Sequence, residues 1–215
     1  MGSGSLGDAA PSLRERKKLR TRDELEAAAL GLFSERGFDA VTVDDIAAAA
    51  DVSPRTFFRH FRSKEDVLFR DNEERLGRLR AELAKRPLDE SPLTAVRLAI
   101  LGLAEEYETG KEAMFLRTSV MAQTPSLIGR NLHLQQEWEA AIANAVAVRI
   151  GVDVDGDLRP RLVAACALGA LRVAADAWLA GKGRGHLPTL VDAALQLVAG
   201  GGDASRWASG AGLSL

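Results

Sequence analysis

Cysteine is almost missing from this chain: one residue in 215, Cys166. A lone thiol excludes an intramolecular disulfide framework and suits a reducing, cytoplasmic setting, so Cys166 reads as a packed thiol. Tyrosine also occurs once, and aromatic residues make up only 5% of the chain. With alanine and leucine abundant, helices are favoured over sheets. No stretch shows strand alternation and no internal repeat is visible. The most apolar segment, 162–180, is broken by Arg172 and Asp176, which reads as a buried helix rather than a membrane span. Residues 1–11 (MGSGSLGDAAP) lack the basic start and apolar run of a secretory signal. Nucleophile–base pairs, metal-ligand spacings and Gly-rich phosphate loops are lacking as well. His133 and His186 stand alone, and GKGRG at 181–185 does not fit a phosphate loop. Catalytic residues, a metal and a cofactor are therefore not expected.

What is present is a soluble, globular composition, 47% hydrophobic and 27% charged, long enough to bury a core in one or two domains. The net charge of −2 conceals an uneven distribution. Residues 14–22 (RERKKLRTR) hold six basic side chains against the single acid Glu15, and residues 55–64 add Arg55, Arg59, Arg62 and Lys64 with no acid. Two basic clusters flanking one compact helical segment call for a joint explanation.

Caps and breakers place the elements. A first helix is expected from about Arg20 to Arg36, stopped by Gly37. Thr42, with Asp45 three positions on, opens a short second helix ending near Ala50, and Ser53-Pro54 opens a third. Ser63 and Asp66 repeat the capping pattern for a fourth, which carries Val67, Leu68, Leu76, Leu79 and Leu83 inward as far as the break at Pro87. Helical stripes then recur at 93–107, 111–122, about 124–150, about 157–179 and 188–199. The expected fold is all-α, about nine helices: a three-helix helix-turn-helix domain joined by the fourth helix to a C-terminal bundle. The divisions are a flexible basic arm (1–18), the helix-turn-helix domain (19–68, recognition unit 43–61), a larger helical domain (69–200) and a loose tail (201–215).

The segment SPRTFFRHF, residues 53–61, is both aromatic and basic. At about 100° per residue, Phe57 and Phe61 share one face while Arg55 and Arg59 share the opposite one, with Thr56 beside them. An apolar side toward its own scaffold and a cationic side toward solvent suit a helix that enters a DNA major groove, where arginine matches guanine O6 and N7.

Residues 20–68 resemble the DNA-binding domain of TetR-family transcriptional regulators. The likeness lies in AAALGLFSERGFDAVTVDDIAAAADVSPRTFFRHFRSKEDVL, which keeps the family's LF and Gly in the first helix, T…IA…A in the second, and VS…T leading to HF and KE. By matching position, the resemblance implies phosphate contacts for Thr42, Thr56, His60 and Lys64, with Arg55 and Arg59 reading bases. Ser53 and Phe58 join the expected DNA-binding set. Two departures stand out: Arg55 replaces a common glycine, and Phe58 replaces a common tyrosine and its hydroxyl. A packed histidine is the other reading of His60, and a purely capping role that of Thr42, beside Asp44 and Asp45. Arg16, Lys17, Lys18 and Arg20 are expected to hold DNA from the arm.

For the larger domain the resemblance implies a homodimer through the last two long helices and a small-molecule pocket. The Ala- and Gly-rich segment LVAACALGALRVAADAWLAG suits close helix packing. RPRLVAACALGALRVAADAWLAG and QQEWEAAIANAVAVRIG are similar to a C-terminal domain of some actinobacterial TetR members, which suggests an apolar or acyl-CoA-like effector. Met114, Phe115, Met121, Trp138 and Ile142 are candidate lining, with Arg117 and Arg172 as partners for an anionic group. The expected function is a ligand-responsive DNA-binding regulator, a repressor by family habit, working on a palindromic operator in the cytoplasm with no membrane partner. An all-helical small-molecule carrier or enzyme with an incidental basic patch is the alternative.

Overall fold

The computed structural model describes residues 12–106 and 110–200, which cluster into two units divided between Val67 and Leu68. Every regular element among them is helical. Tyr107 and the expected tail 201–215 lie outside the described residues, as do residues 1–11.

In the first unit α1 (Leu13–Arg36) starts well before the expected Arg20. Ser12 and Glu15 form a reciprocal capping box: Ser12 N–H donates to Glu15 Oε2 at 2.8 Å, and Glu15 N–H donates to Ser12 Oγ at 3.3 Å. That pair satisfies helix-end donors that would otherwise be bare. Residues 13–18 are therefore helix and not flexible arm, so the basic cluster is displayed in a fixed helical phase. α2 (Val43–Ala49) carries the expected Thr42–Asp45 box, and α3 (Pro54–His60) the Ser53 cap with Pro54 at its first position. The turn between them passes through Asp51 at φ 52°, a left-handed conformation that aspartate tolerates better than most residues. Leu25, Ala29, Leu30, Phe33, Phe38, Val41, Ile46, Ala47, Phe57 and Phe61 are buried together. α2 packs against both α1 and α3.

The expected fourth helix is divided. α4 (Lys64–Leu68) stops at a turn in which Asn72 N–H donates to the Phe69 carbonyl at 3.1 Å, and α5 (Asn72–Lys85) begins after Asp71. Asp and Asn side chains offer the backbone local alternatives to helix, which explains a break inside an otherwise helical pattern. Ten α-helices result among the described residues, one more than the sequence suggested.

The second unit comprises α5, α6 (Pro92–Glu106), α7 (Lys111–Gln123), α8 (Ile128–Ile150), α9 (Leu158–Ala180) and α10 (Leu187–Ala199), with a 3-10 turn, Pro125–Leu127, before α8. α9 packs between α8 and α10, and its inward residues Ala164, Ala167, Ala170 and Ala174 are small. Small side chains there let the backbones approach closely. Leu76, Leu79 and Leu83 of α5 meet Val96, Ile100 and Leu103 of α6 and Ile142 and Val146 of α8 in the same core. An Arg97–Asp192 ion pair ties α6 to α10. At the end of α8, Arg149 donates to the carbonyls of Arg86, Pro87 and Glu90, closing the α5–α6 connection over it.

Candidate nucleic-acid interface

α3 separates its chemistry by face. Phe57 is 0% and Phe61 4% exposed, their rings tilted with centroids 5.4 Å apart, while Arg55 and Arg59 are exposed on the other side. Phe58 projects at 56% exposure, held edge-on to Phe57 at 5.6 Å. Thr56 is anchored at the helix start, where its N–H donates to Ser53 Oγ at 3.2 Å and the two hydroxyls lie 3.1 Å apart. The result is a rigid platform with two outward guanidiniums.

Charge pairing distinguishes these arginines from most others. Arg14, Arg16, Lys17, Lys18, Arg22, Arg55 and Arg59 have no ion-pair partner among the described residues, whereas Arg20 pairs with Glu24 at 2.8 Å and Arg62 with Asp66 at 2.9 Å. Uncompensated cations on α1 and α3 make a positive field of the kind that polyanions neutralise.

Two expected phosphate contacts are otherwise engaged. Lys64 directs its ammonium inward: Nζ donates to the carbonyls of Phe38 and Val41, each at 2.8 Å, and lies 3.4 Å from that of Asp39. The same nitrogen sits 4.5 Å from the centroid of the Phe38 ring. It clamps the α1–α2 loop. Thr42 is committed to its cap, accepting from Asp45 N–H at 3.1 Å while its own hydroxyl and N–H both donate to the Asp45 carboxylate. Those bonds hold the Asp45 carboxyl below the usual carboxylate range, the side-chain bond from Thr42 most strongly and the backbone bond next. His60 is half-buried at the end of α3, and its neighbours Lys18 and Arg22 come from α1. Arg22, counted in the 14–22 basic cluster but not among the expected contacts, thus stands beside His60. Helical phase finds it once α1 is taken back to Leu13, because Lys18, Arg22 and the buried Leu25 follow one another along one side.

The expected effector residues do not converge on one cavity. Ile142 is wholly buried in the core, and Arg172 is exposed and paired with Asp176 at 3.2 Å along its own helix. Phe115 rests edge-on against the buried Trp178 at 5.7 Å. Its ring also lies where a β-carbon on Gly183 would come within 2.9 Å of it. Met114 receives the Thr118 hydroxyl at 3.6 Å, and Met121 is half-buried on the same helix. Arg117 lies 3.7 Å from the Asp71 carboxylate, and Trp138 Nε1–H donates to Asn72 Oδ1 at 2.9 Å beneath the Arg75 guanidinium. These last two side chains converge on the start of α5. A groove of about 490 Å³ opens elsewhere in the unit, between α5 and α8, lined by Leu83, Leu88, Ala141, Val148, Arg80 and Arg149. Sequence reading missed it because it joins segments some 60 residues apart. Among the described residues no group of His, Cys, Asp and Glu could hold a metal ion.

A short capped helix, a tight turn and a two-faced second helix with free guanidiniums define a helix-turn-helix transcriptional regulator. Residues 25–70 match the bacterial regulatory proteins of the tetR family, and residues 90–203 match the MftR C-terminal domain. The chain belongs to the TetR family. It is 39% identical over 174 residues to the HTH-type transcriptional regulator TcmR of Streptomyces glaucescens, covering 78% of this chain and 77% of that one. To MftR of Mycobacterium tuberculosis, a regulator named for mycofactocin biosynthesis, it is 32% identical over 166 residues, covering 76% and 82%. The fold matches that of the repressor FadR of Thermus thermophilus, solved with lauroyl-CoA, at a TM-score of 0.54 and 24% identity, over 83% of this chain and 93% of FadR.

Proposed function

We propose that the protein is a homodimeric repressor that sets α3 of each subunit into the major groove of a near-palindromic operator and leaves it when a small molecule binds the second unit. The observation that carries the DNA reading is the division of α3: Phe57 and Phe61 buried, Arg55 and Arg59 outward and without an acid partner. Arg55 and Arg59 read base edges, with Thr56, Ser53 and Phe58 against sugar and phosphate and the α1 cations Arg16, Lys17 and Lys18 on the backbone. Lys64 and Thr42 serve by shaping the domain. Arg20, tied to Glu24, contributes less.

Pairing through α9 and α10 is supported by what α9 leaves uncovered. Leu158, Leu162 and Val173 are 72%, 55% and 54% exposed on a helix whose other side is core. An apolar stripe of this kind on an otherwise charged surface marks an association face. A near-palindromic operator offers the two α3 helices half-sites about 34–36 Å apart, one turn of DNA. The effector is an apolar or acyl-CoA-like molecule, for which Met114, Phe115, Met121 and Trp138 offer contact and Arg117 an anion partner. It acts only by favouring one spacing of the two heads over the other.

Fluorescence anisotropy with the DNA upstream of the protein's own gene tests this reading. Binding should be sequence-selective, and Arg55→Gln should lose about 1–3 kcal/mol at particular base pairs while leaving non-specific affinity nearly intact. A purified dimer indifferent to every fragment at low salt would leave only a small-molecule-binding role.

A further inference from the structure

α1 and α3 meet at a corner beside the base-reading face. Lys18 and Arg22 lie one turn apart on α1, and Arg22 lays its guanidinium 5.7 Å from the centroid of the Phe61 ring. The Arg22 Nε is buried without a hydrogen bond. His60 closes the corner from α3, and both its Nδ1 and Nε2 are buried with no hydrogen-bond partner among the described residues. Burial first, and then the charges of Arg59, Lys18 and Arg22, hold its imidazole below the usual histidine range. No acid pairs with these three cations among the described residues. A shallow cavity of about 340 Å³ opens alongside, lined by Glu15, Lys18, Leu19 and Arg22. Glu15 is the acid facing it, and its carboxylate is held by the Ser12 N–H at 2.8 Å.

Buried polar groups without partners are costly, and here they are gathered with excess positive charge. One chemistry answers both conditions: an anionic oxygen that accepts from the lysine, the guanidinium and the imidazole together. We propose that Lys18, Arg22 and His60 form a phosphodiester seat across α1 and α3, and that seating a DNA phosphate there draws one proton onto His60 in each DNA-binding head. The inference rests on the DNA reading above and deepens it, by adding Arg22 to the contacts and a proton to the binding equilibrium.

The proton comes from solvent. Neutral imidazole carries one N–H and one lone pair, and the lone pair takes up the proton, giving a second donor. The phosphate charge offsets the three cations that oppose ionisation in the free protein, so the bound state holds the proton to higher pH. Below the free-state pKa and above the bound-state pKa affinity is flat. Between them each head gains up to about tenfold in affinity per unit fall in pH.

The test is the affinity of the full chain for its upstream DNA at about pH 6 and about pH 8 at constant ionic strength, with calorimetry in two buffers of different ionisation enthalpy. Binding at least about tenfold tighter at the lower pH, with a buffer-dependent enthalpy that reports proton uptake, is expected. His60→Gln should bind with neither dependence. Arg22→Gln, which removes one opposing cation, should take up a smaller fraction of a proton; this second variant carries the test if His60→Gln does not fold. Parent binding that ignores both pH and buffer overturns the proposal while leaving the DNA reading standing. So does a pH dependence that survives in His60→Gln, since it would belong to another group. Failure of the parent to bind any fragment at low salt sinks the DNA reading and the seat with it.

Discussion

Lys64 separates two accounts of the domain through a single substitution. If its ammonium clamps the α1–α2 loop, Lys64→Met keeps the aliphatic stem over Phe38 but strips the donors from the carbonyls of Phe38 and Val41. A hydrogen bond to a charged group is worth about 1.5–3 kcal/mol when buried. These two are only part-buried, and water can take up some of the loss, so we expect about 1.5–3 kcal/mol for the pair together. Urea denaturation followed by circular dichroism measures it as a lower midpoint at unchanged slope. DNA binding by the folded variant should keep its salt dependence. A phosphate-contacting lysine behaves in the opposite way: stability is untouched, and the slope of log affinity against log salt falls by about 0.9. An unshifted urea midpoint together with that shallower salt slope would refute the clamp and return Lys64 to the DNA surface.

Three further outcomes follow from other parts of the molecule. Gly183 combines φ of 69° with a ring 2.9 Å from where its β-carbon would sit, so Gly183→Ala should cost about 2–3 kcal/mol in thermal or urea unfolding. Leu162→Glu on the uncovered stripe of α9 should convert a dimer to monomer in sedimentation, with operator affinity falling as the second head is lost; an unchanged sedimentation coefficient removes α9 from the interface. Neutralising Arg16, Lys17 and Lys18 together should weaken binding to all DNA sequences alike and reduce the salt slope by up to about 0.9 for each phosphate left without its cation. Binding curves that overlay the parent at every salt concentration would show that the start of α1 stays clear of the duplex.

The regulator's head was legible from short-range signals. Capping residues at Thr42 and Ser53, the Gly37 stop and the phase of Phe57 and Phe61 all act within a few residues, and each element they mark is present. A short-range signal also marks the start of α1. Ser12 and Glu15 form the same kind of box as Thr42 and Asp45, but the basic run that follows reads more readily as an arm than as a helix face. At Phe69–Asp71 the apolar stripe runs on through a break, because periodicity reports which residues turn inward and not whether the backbone between them is continuous.

What sequence alone determined here is helical content and the two faces of α3, set by residues within one or two turns of each other, together with the family motif and the unevenness of charge, which are read along the chain without knowing any contact. Only the tertiary structure decided which distant groups meet. Lys64 reaches carbonyls more than twenty residues earlier, Lys18 and Arg22 approach His60 from another helix, and Arg149 closes a loop some sixty residues away. The physical reason is that a side chain's polar partner is chosen by how apolar faces pack, and that choice sums over the whole core rather than over any spacing along the chain.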